Sequence, residues 1–238
     1  MLNLEKKKYL TLCLFFFTTL NLCSQSKEPL SIETKKIDKK EKNCTYKIEY
    51  PILKLGKNSK YDVNHIKSIG KILIDDFTKL EIYDNEYECN KNDKNAPSFS
   101  LNVGYEVKFK NESILSLYST FSSFTDGNAH PNNIYKTYNF DLTTGKQIPF
   151  ESLFKTDQKF LIPLHKYMAE ALILDKSISD KEEFIAAKKN KYDYYLSPEG
   201  IHFINLFDVY VMQAAEAKVP YLKIKKYLDT EKTLSFVK

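Results

Sequence analysis

The chain has 238 residues, of which 42% are apolar and 28% charged, with a formal net charge of +5. That is enough apolar content for one large domain or two small ones, and it excludes a disordered chain, a collagen and a disulfide-only miniprotein. All 36 basic residues are Lys, so the Arg forks that read guanine and phosphate are missing and no nucleic-acid partner is expected.

Lys6, Lys7 and Lys8 form a basic opening, and Tyr9 to Leu22 is an apolar run broken only by Thr and Asn. The run is shorter than the roughly 20 residues a bilayer helix needs, so residues 1–23 read as an export signal. Cys23, before Ser24-Gln25-Ser26, resembles the lipidated cysteine of a bacterial lipoprotein signal. Leu22 departs from the small residue usual at that point, and cleavage after Cys23 or Gln25 is the alternative. Either way the protein is expected in the periplasm, secreted or anchored to a membrane by lipid. Residues 24–43, with the basic run Lys35 to Lys42, read as a flexible polar linker. Cys44 and Cys89 are an even pair in an exported chain and are expected to form a disulfide. It would close a loop of about 45 residues and stabilise by roughly 4 kcal/mol. His65, His130, His165 and His202 lie at no metal-binding spacing, so no metal or cofactor is expected.

Tyr46, Ile48, Tyr50 and Ile52 alternate with Lys47 and Glu49, which predicts a strand, with Pro51 near its end or on an edge. Asp62 can cap a helix over 62–81, whose stripe is Ile66, Ile69, Leu73, Phe77 and Leu80. His65 sits in its first turn as an exposed bystander. Asp84 to Pro97 is loop-like. Leu101 to Phe109 alternates strictly, Lys110 to Ser113 is a turn, and Ile114 to Phe124 completes an antiparallel hairpin. Thr125 to Pro131 is a loop of turn formers. Ile134, Tyr138, Phe140 and Leu142 mark a third strand. Gly145 supplies the positive φ of the next turn, and Ile148 to Phe150 reads as a short return strand.

A helix follows from Phe160 to Leu174, with Pro163 near its start. Ser179 to Glu182 is a capping box for a short helix through Lys189. Tyr192 to Leu196 and Ile201 to Leu206 flank Ser197-Pro198-Glu199-Gly200 as another hairpin, and Pro220 opens a last helix. The expected fold is α+β, an antiparallel sheet of hairpins with helices packed on it.

Tyr118 to Phe154 reads Tyr-Ser-Thr-Phe-Ser-Ser-Phe-Thr-Asp-Gly-Asn-Ala-His-Pro, then Asn-Phe-Asp-Leu-Thr-Thr-Gly-Lys, then Ser-Leu-Phe. This resembles the C-terminal domain of the RsiV-like family, named for a bacterial anti-sigma factor. Tyr194 to Ile201, Phe207 to Tyr210 and Val219-Pro220-Tyr221 complete the likeness. It covers about residues 98–228. Asn128 replaces a Gly of the family loop, and Ala217 stands where a Gly is common. The resemblance divides the chain into a small N-terminal α+β domain, 44–97, and the RsiV-like domain, 98–238. It implies an extracytoplasmic, non-catalytic module, which in the anti-sigma factor is a lysozyme receptor, and a stand-alone envelope version of it is expected here.

The expected partner is therefore a lysozyme or another envelope enzyme, with peptidoglycan or another glycan as the alternative. Candidate ligand-binding residues are Asp126, Gly127, Asn128 and His130 in the loop, with Tyr118, Tyr138 and Tyr210 as aromatic contacts. Asp126, Asp141 and Glu151 are acid candidates in name only, and Asp141 reads better as a turn acceptor. No nucleophile elbow, phosphate loop or zinc signature is legible, and no enzymatic activity is expected.

Overall fold

A computed structural model describes residues 29–79, 97–156, 159–180, 184, 192–207, 214–231 and 234–237. Its architecture is α+β, as the alternation and turn signals predict. The first sheet has the order β1-β2-β3-β4-β5-β6. Its strands are β1 (Leu30–Glu41), β2 (Cys44–Leu55), β3 (Phe99–Lys110), β4 (Ile114–Thr125), β5 (Asn132–Asp141) and the two-residue β6 (Lys146–Gln147). Neighbours run antiparallel except β2 and β3, which pair in parallel from Cys44↔Phe99 to Ile48↔Val103. Pro51 lies past the end of that parallel ladder, so its missing N–H removes no bond to β3.

The second sheet is a three-stranded meander, β7 (Asp193–Leu196), β8 (Gly200–Ile204) and β9 (Ala217–Pro220). The helices among the described residues are α1 (Val63–Thr78), α2 (Leu161–Leu174) and the one-turn α3 (Tyr221–Ile224).

Alternation and periodicity account for one face of the first sheet. Cys44, Tyr46, Ile48 and Tyr50 of β2 are buried while Lys47 and Glu49 between them are exposed. The α1 stripe Ile66, Ile69, Leu73 and Phe77 covers that face. Asp62 caps the helix by accepting from the backbone N–H groups of Asn64 at 2.7 Å and His65 at 3.2 Å. These bonds hold the Asp62 carboxyl below its ordinary range. Phe77 is the aromatic hub, with Phe121 at 5.5 Å, Tyr138 at 5.6 Å and Tyr105 at 6.1 Å between ring centroids. A second core lies on the opposite face, where α2, α3 and the meander pack around Phe150, Phe160, Leu164, Met168 and Phe203. Pro163 stands in the first turn of α2, where its missing N–H costs no helical bond.

Four expectations are corrected. Residues 24–43 are not a flexible linker throughout, because Leu30–Glu41 is an edge strand paired to β2 along its whole length. Its Lys side chains point into solvent while the backbone pairs, and such a lysine-rich edge also discourages pairing with other chains. A boundary between 97 and 98 does not separate two folding units, since β2 and β3 share one ladder and one core. His65 is half-buried rather than an exposed bystander, because Gly145 packs against its backbone. The return strand is Lys146–Gln147, and Phe150–Leu153 is a 3-10 turn.

Cys44 is wholly buried and disulfide-bonded, and Cys89, its expected partner, lies outside the described residues. So do the signal segment with Cys23, most of the helix expected over 179–189, and Tyr210. No helix among the described residues is long and apolar enough to cross a membrane.

Candidate functional site

The expected site residues fall in separate places. Asp126, Gly127, Asn128 and His130 form an exposed turn at the β4–β5 end. Ser98 anchors it, since its hydroxyl donates to the Asp126 carboxylate and its carbonyl accepts from the Asp126 N–H at 2.9 Å. Gly127 takes a φ of +98°, and His130 Nδ1 lies 3.2 Å from the Pro131 carbonyl. Tyr138 belongs to the α1 face of β5, buried against Phe77, with its hydroxyl donating to Asp76 at 2.5 Å. As a buried core residue it offers no contact surface, which corrects its assignment. Asp141 is a turn acceptor, taking the N–H of Thr143 at 2.8 Å and the hydroxyl of Thr144 at 2.9 Å. Tyr118 lies eight residues from Asp126 along β4, about 26 Å at the rise of a strand.

Around Tyr118 the structure assembles a cluster that no linear spacing reveals. Tyr118 and Tyr135 are diagonal neighbours on β4 and β5, stacked at 6.0 Å with an 18° angle between ring planes. Tyr195 of β7 meets Tyr118 edge-on at 5.8 Å. The β3–β4 register shifts between Val107 and Phe109, so Lys108 is the extra residue of a β-bulge. Its ammonium sits 5.1 Å from the Tyr118 ring centre and 5.2 Å from that of Tyr195. The same ammonium pairs with Glu106 at 2.5 Å. Tyr118 and Tyr135 are half-buried, which leaves part of this aromatic ridge in contact with solvent.

The ridge continues into a chain of polar groups. Tyr195 and His202 are direct partners across β7 and β8, stacked at 4.5 Å and 12°. His202 Nδ1 lies 2.6 Å from Glu216 Oε1, and Nε2 lies 3.0 Å from Ser197 Oγ. Tyr195 donates its hydroxyl to the other Glu216 oxygen at 2.7 Å. Burial pushes the Glu216 carboxyl up. Hydrogen bonds from His202 and Tyr195, with His202 and Lys108 close by, outweigh that and hold it below its ordinary value. Burial raises the phenols of Tyr118 and Tyr195 above theirs. Ser197 sits at the β7–β8 turn, where its hydroxyl oxygen also accepts from the N–H groups of Gly200 at 3.2 Å and Glu199 at 3.3 Å.

Chemically, the cluster offers aromatic faces, a cation, carboxylates and a Ser–His–Glu chain within one surface region. Of the described residues expected from sequence only Tyr118 belongs to it. His202 carries no signal except in its β8 alternation. Lys108 carries none, because Leu101–Phe109 alternates strictly through the position where the pairing register shifts. Among the described residues no group of His, Cys, Asp and Glu could hold a metal ion.

Residues 37–133 match the family described as "Deacetylase PdaC". The chain is 25% identical over 194 residues to the peptidoglycan-N-acetylmuramic acid deacetylase PdaC of Bacillus subtilis (strain 168). The match takes in 79% of this chain but 38% of that protein. The expectation that the chain is not an enzyme is thereby overturned as a flat statement, because a relative along most of its length is named as a deacetylase. The match carries no reaction over to this chain.

Two solved structures share the fold. One is a DUF3298-family member from Bacteroides fragilis NCTC 9343, with TM-score 0.54 and 19% identity over 84% of this chain and 93% of that one. The other is a DUF3298-family protein from Pseudomonas aeruginosa PAO1, with TM-score 0.56 and 14% identity over 84% of this chain and 94% of that one. The sequence likeness is thus to a PdaC-type segment, and the architecture is that of the DUF3298 proteins.

Proposed function

We propose that the protein works in the bacterial cell envelope and recognises the glycan of peptidoglycan through the half-buried Tyr118–Tyr135 pair, which the buried Tyr195 supports from beneath. The observation that carries this is the ridge itself, Tyr118 in ring contact with both Tyr135 and Tyr195, and Lys108 delivered over Tyr118 and Tyr195 by a bulge. Sugar rings present C–H faces that pack on aromatic faces, and their acidic substituents pair with a lysine. The relative named as a peptidoglycan deacetylase supports the envelope setting, and the RsiV-like resemblance is compatible with it. In this reading the chain is exported, with Cys23 as a lipid anchor and Cys44 bonded to Cys89. The Asp126–His130 turn lies at the far end of the hairpin from the ridge and is a comparison surface.

The test is co-sedimentation of the protein with insoluble peptidoglycan. Tyr118→Ala and Tyr135→Ala should each weaken binding about tenfold, some 1.4 kcal/mol. An Asp126→Ala/His130→Ala variant should bind as the parent does. Loss of binding in the loop variant alone, or capture of lysozyme with no affinity for the glycan, would refute the ridge assignment.

A further inference from the structure

Ser197, His202 and Glu216 are joined in the order and through the atoms that activate a serine nucleophile. Glu216 Oε1 faces His202 Nδ1 at 2.6 Å, and His202 Nε2 faces Ser197 Oγ at 3.0 Å. With Nδ1–H given to the carboxylate, Nε2 is left as the accepting nitrogen. The Ser197 hydroxyl has a second acceptor, the Gly200 carbonyl at 3.2 Å, but Nε2 is nearer. The imidazole is fixed in its plane by stacking on Tyr195, whose hydroxyl holds the second oxygen of the same carboxylate. Each member of the chain is therefore oriented by a contact outside it, which is what separates a relay from a chance pair.

We propose that Ser197 is the nucleophile of an acyl-transfer site, with His202 as its base and Glu216 as the group that orients and stabilises the imidazolium. For its substrate class, an O-acyl ester on a carbohydrate, the inference rests on the glycan reading of the adjoining ridge. Ser197 Oγ attacks the ester carbonyl carbon and its proton passes to His202 Nε2. The carbon–oxygen bond to the sugar then breaks, and the departing oxygen takes the proton from Nε2. Water attacks the acyl-serine by the same route, and serine leaves with its proton restored. The sum is ester plus water giving acid plus alcohol, with no change of oxidation state.

The N–H groups of Glu199 and Gly200 converge on Oγ at 3.3 and 3.2 Å, long bonds that can pass to the oxyanion, which forms two bonds from Oγ on the attacked carbon. Gly200 is required there, since a Cβ would lie 2.5 Å from the Val219 carbonyl. Ser197 is half-buried and Glu216 keeps 38% of its side-chain surface, while His202 is buried between them, so the nucleophile is approached from the surface and its base is shielded from solvent.

The experiment treats the folded full chain with a fluorophosphonate probe and locates the adduct by mass spectrometry. The expected result is one adduct, on Ser197, forming faster as the medium is brought from acid to neutral pH. His202→Ala should slow it at least 100-fold. Turnover of p-nitrophenyl acetate should fall in parallel in Ser197→Ala. No adduct on Ser197 in the parent protein overturns the proposal without recourse to any variant. A labelling rate flat with pH, or one unchanged in His202→Ala, overturns it too. Peptidoglycan co-sedimentation of the parent protein, run alongside, separates the two ideas: glycan binding without a Ser197 adduct overturns this proposal alone, and a Ser197 adduct without glycan binding overturns the ridge reading and with it the carbohydrate substrate class.

Discussion

Ser116 of β4 and Asn139 of β5 sit opposite each other and supply the hydrogen bonds that β7 lacks on its outer edge. The Ser116 hydroxyl donates to Asn139 Oδ1 at 2.6 Å and accepts from the Leu196 N–H at 2.8 Å. Asn139 Nδ2 donates to the Tyr194 carbonyl at 2.6 Å. Both backbone groups face away from β8, and a buried edge would otherwise leave them unpaired. Two small polar side chains thus fasten the meander to the face of the large sheet. That fastening brings Tyr195 of β7 against Tyr118 of β4.

The first prediction concerns this joint. Ser116→Ala leaves the Leu196 N–H and Asn139 Oδ1 buried without partners, at about 3 kcal/mol in total. Urea unfolding should show that loss. Ser116→Ala and Asn139→Ala together should cost less than the sum of the two alone, by about 1 kcal/mol or more. Simple additivity would mean that the two side chains do not act as one unit.

A second prediction contrasts two glycines. Gly145 has a φ of +70°, and a Cβ there would lie 2.8 Å from Cα and Cβ of His65. Those atoms belong to the capped first turn of α1 and cannot retreat cheaply. Gly145→Ala should cost about 3 kcal/mol, backbone strain and steric overlap combined. Gly127, at +98°, has open space around it, so Gly127→Ala should cost about 1 kcal/mol, from strain alone. Equal losses in a thermal melt would show that α1 does not press on the Gly145 turn.

The elements legible in the sequence were those with a strong period or a hard punctuation mark. The α1 stripe and its Asp62 cap, the 101–124 hairpin and the positive φ of Gly145 are of this kind. What escaped was decided by pairing rather than by composition. The Lys35–Lys40 stretch is polar apart from Ile37, and it is ordered chiefly by a backbone ladder to β2 that composition does not express. β9 is four residues long and takes its place from β8. Most of the site was hidden for the same reason. Tyr118, Lys108, His202 and Glu216 meet only because a bulge re-aims one strand and two sheets are fastened together. Alternation placed Tyr138 on a strand, but only the structure shows that its face is the one under α1.

The third prediction is an acid limb of stability. The Glu216 carboxyl is held below its ordinary value of 4.5 in the folded protein. A lowered folded value means that its contribution is complete above the ordinary glutamate range and is lost as pH falls through the lowered one. Stability measured from pH 6 down to pH 3 should therefore fall more steeply for the parent than for Glu216→Gln. Parallel curves would show that the carboxylate's bonds to His202 and Tyr195 add nothing to the folded state.

The fourth prediction is the alkaline counterpart. Burial pushes the Tyr192 phenol from 10.0 up to about 12, and raises those of Tyr194 and Tyr221 as well. A raised folded value means that the stabilisation is complete below the ordinary tyrosine value near 10 and is lost as pH climbs through the folded one. At pH 11 the folded protein should ionise its exposed tyrosines alone. The buried ones should follow only at higher pH, together with the loss of secondary structure. Absorbance at 295 nm and far-ultraviolet circular dichroism, recorded on the same samples, separate the two stages. If all 17 tyrosines titrate reversibly in a single step near pH 10 with the dichroism unchanged, these phenols are not in the buried surroundings the fold assigns them.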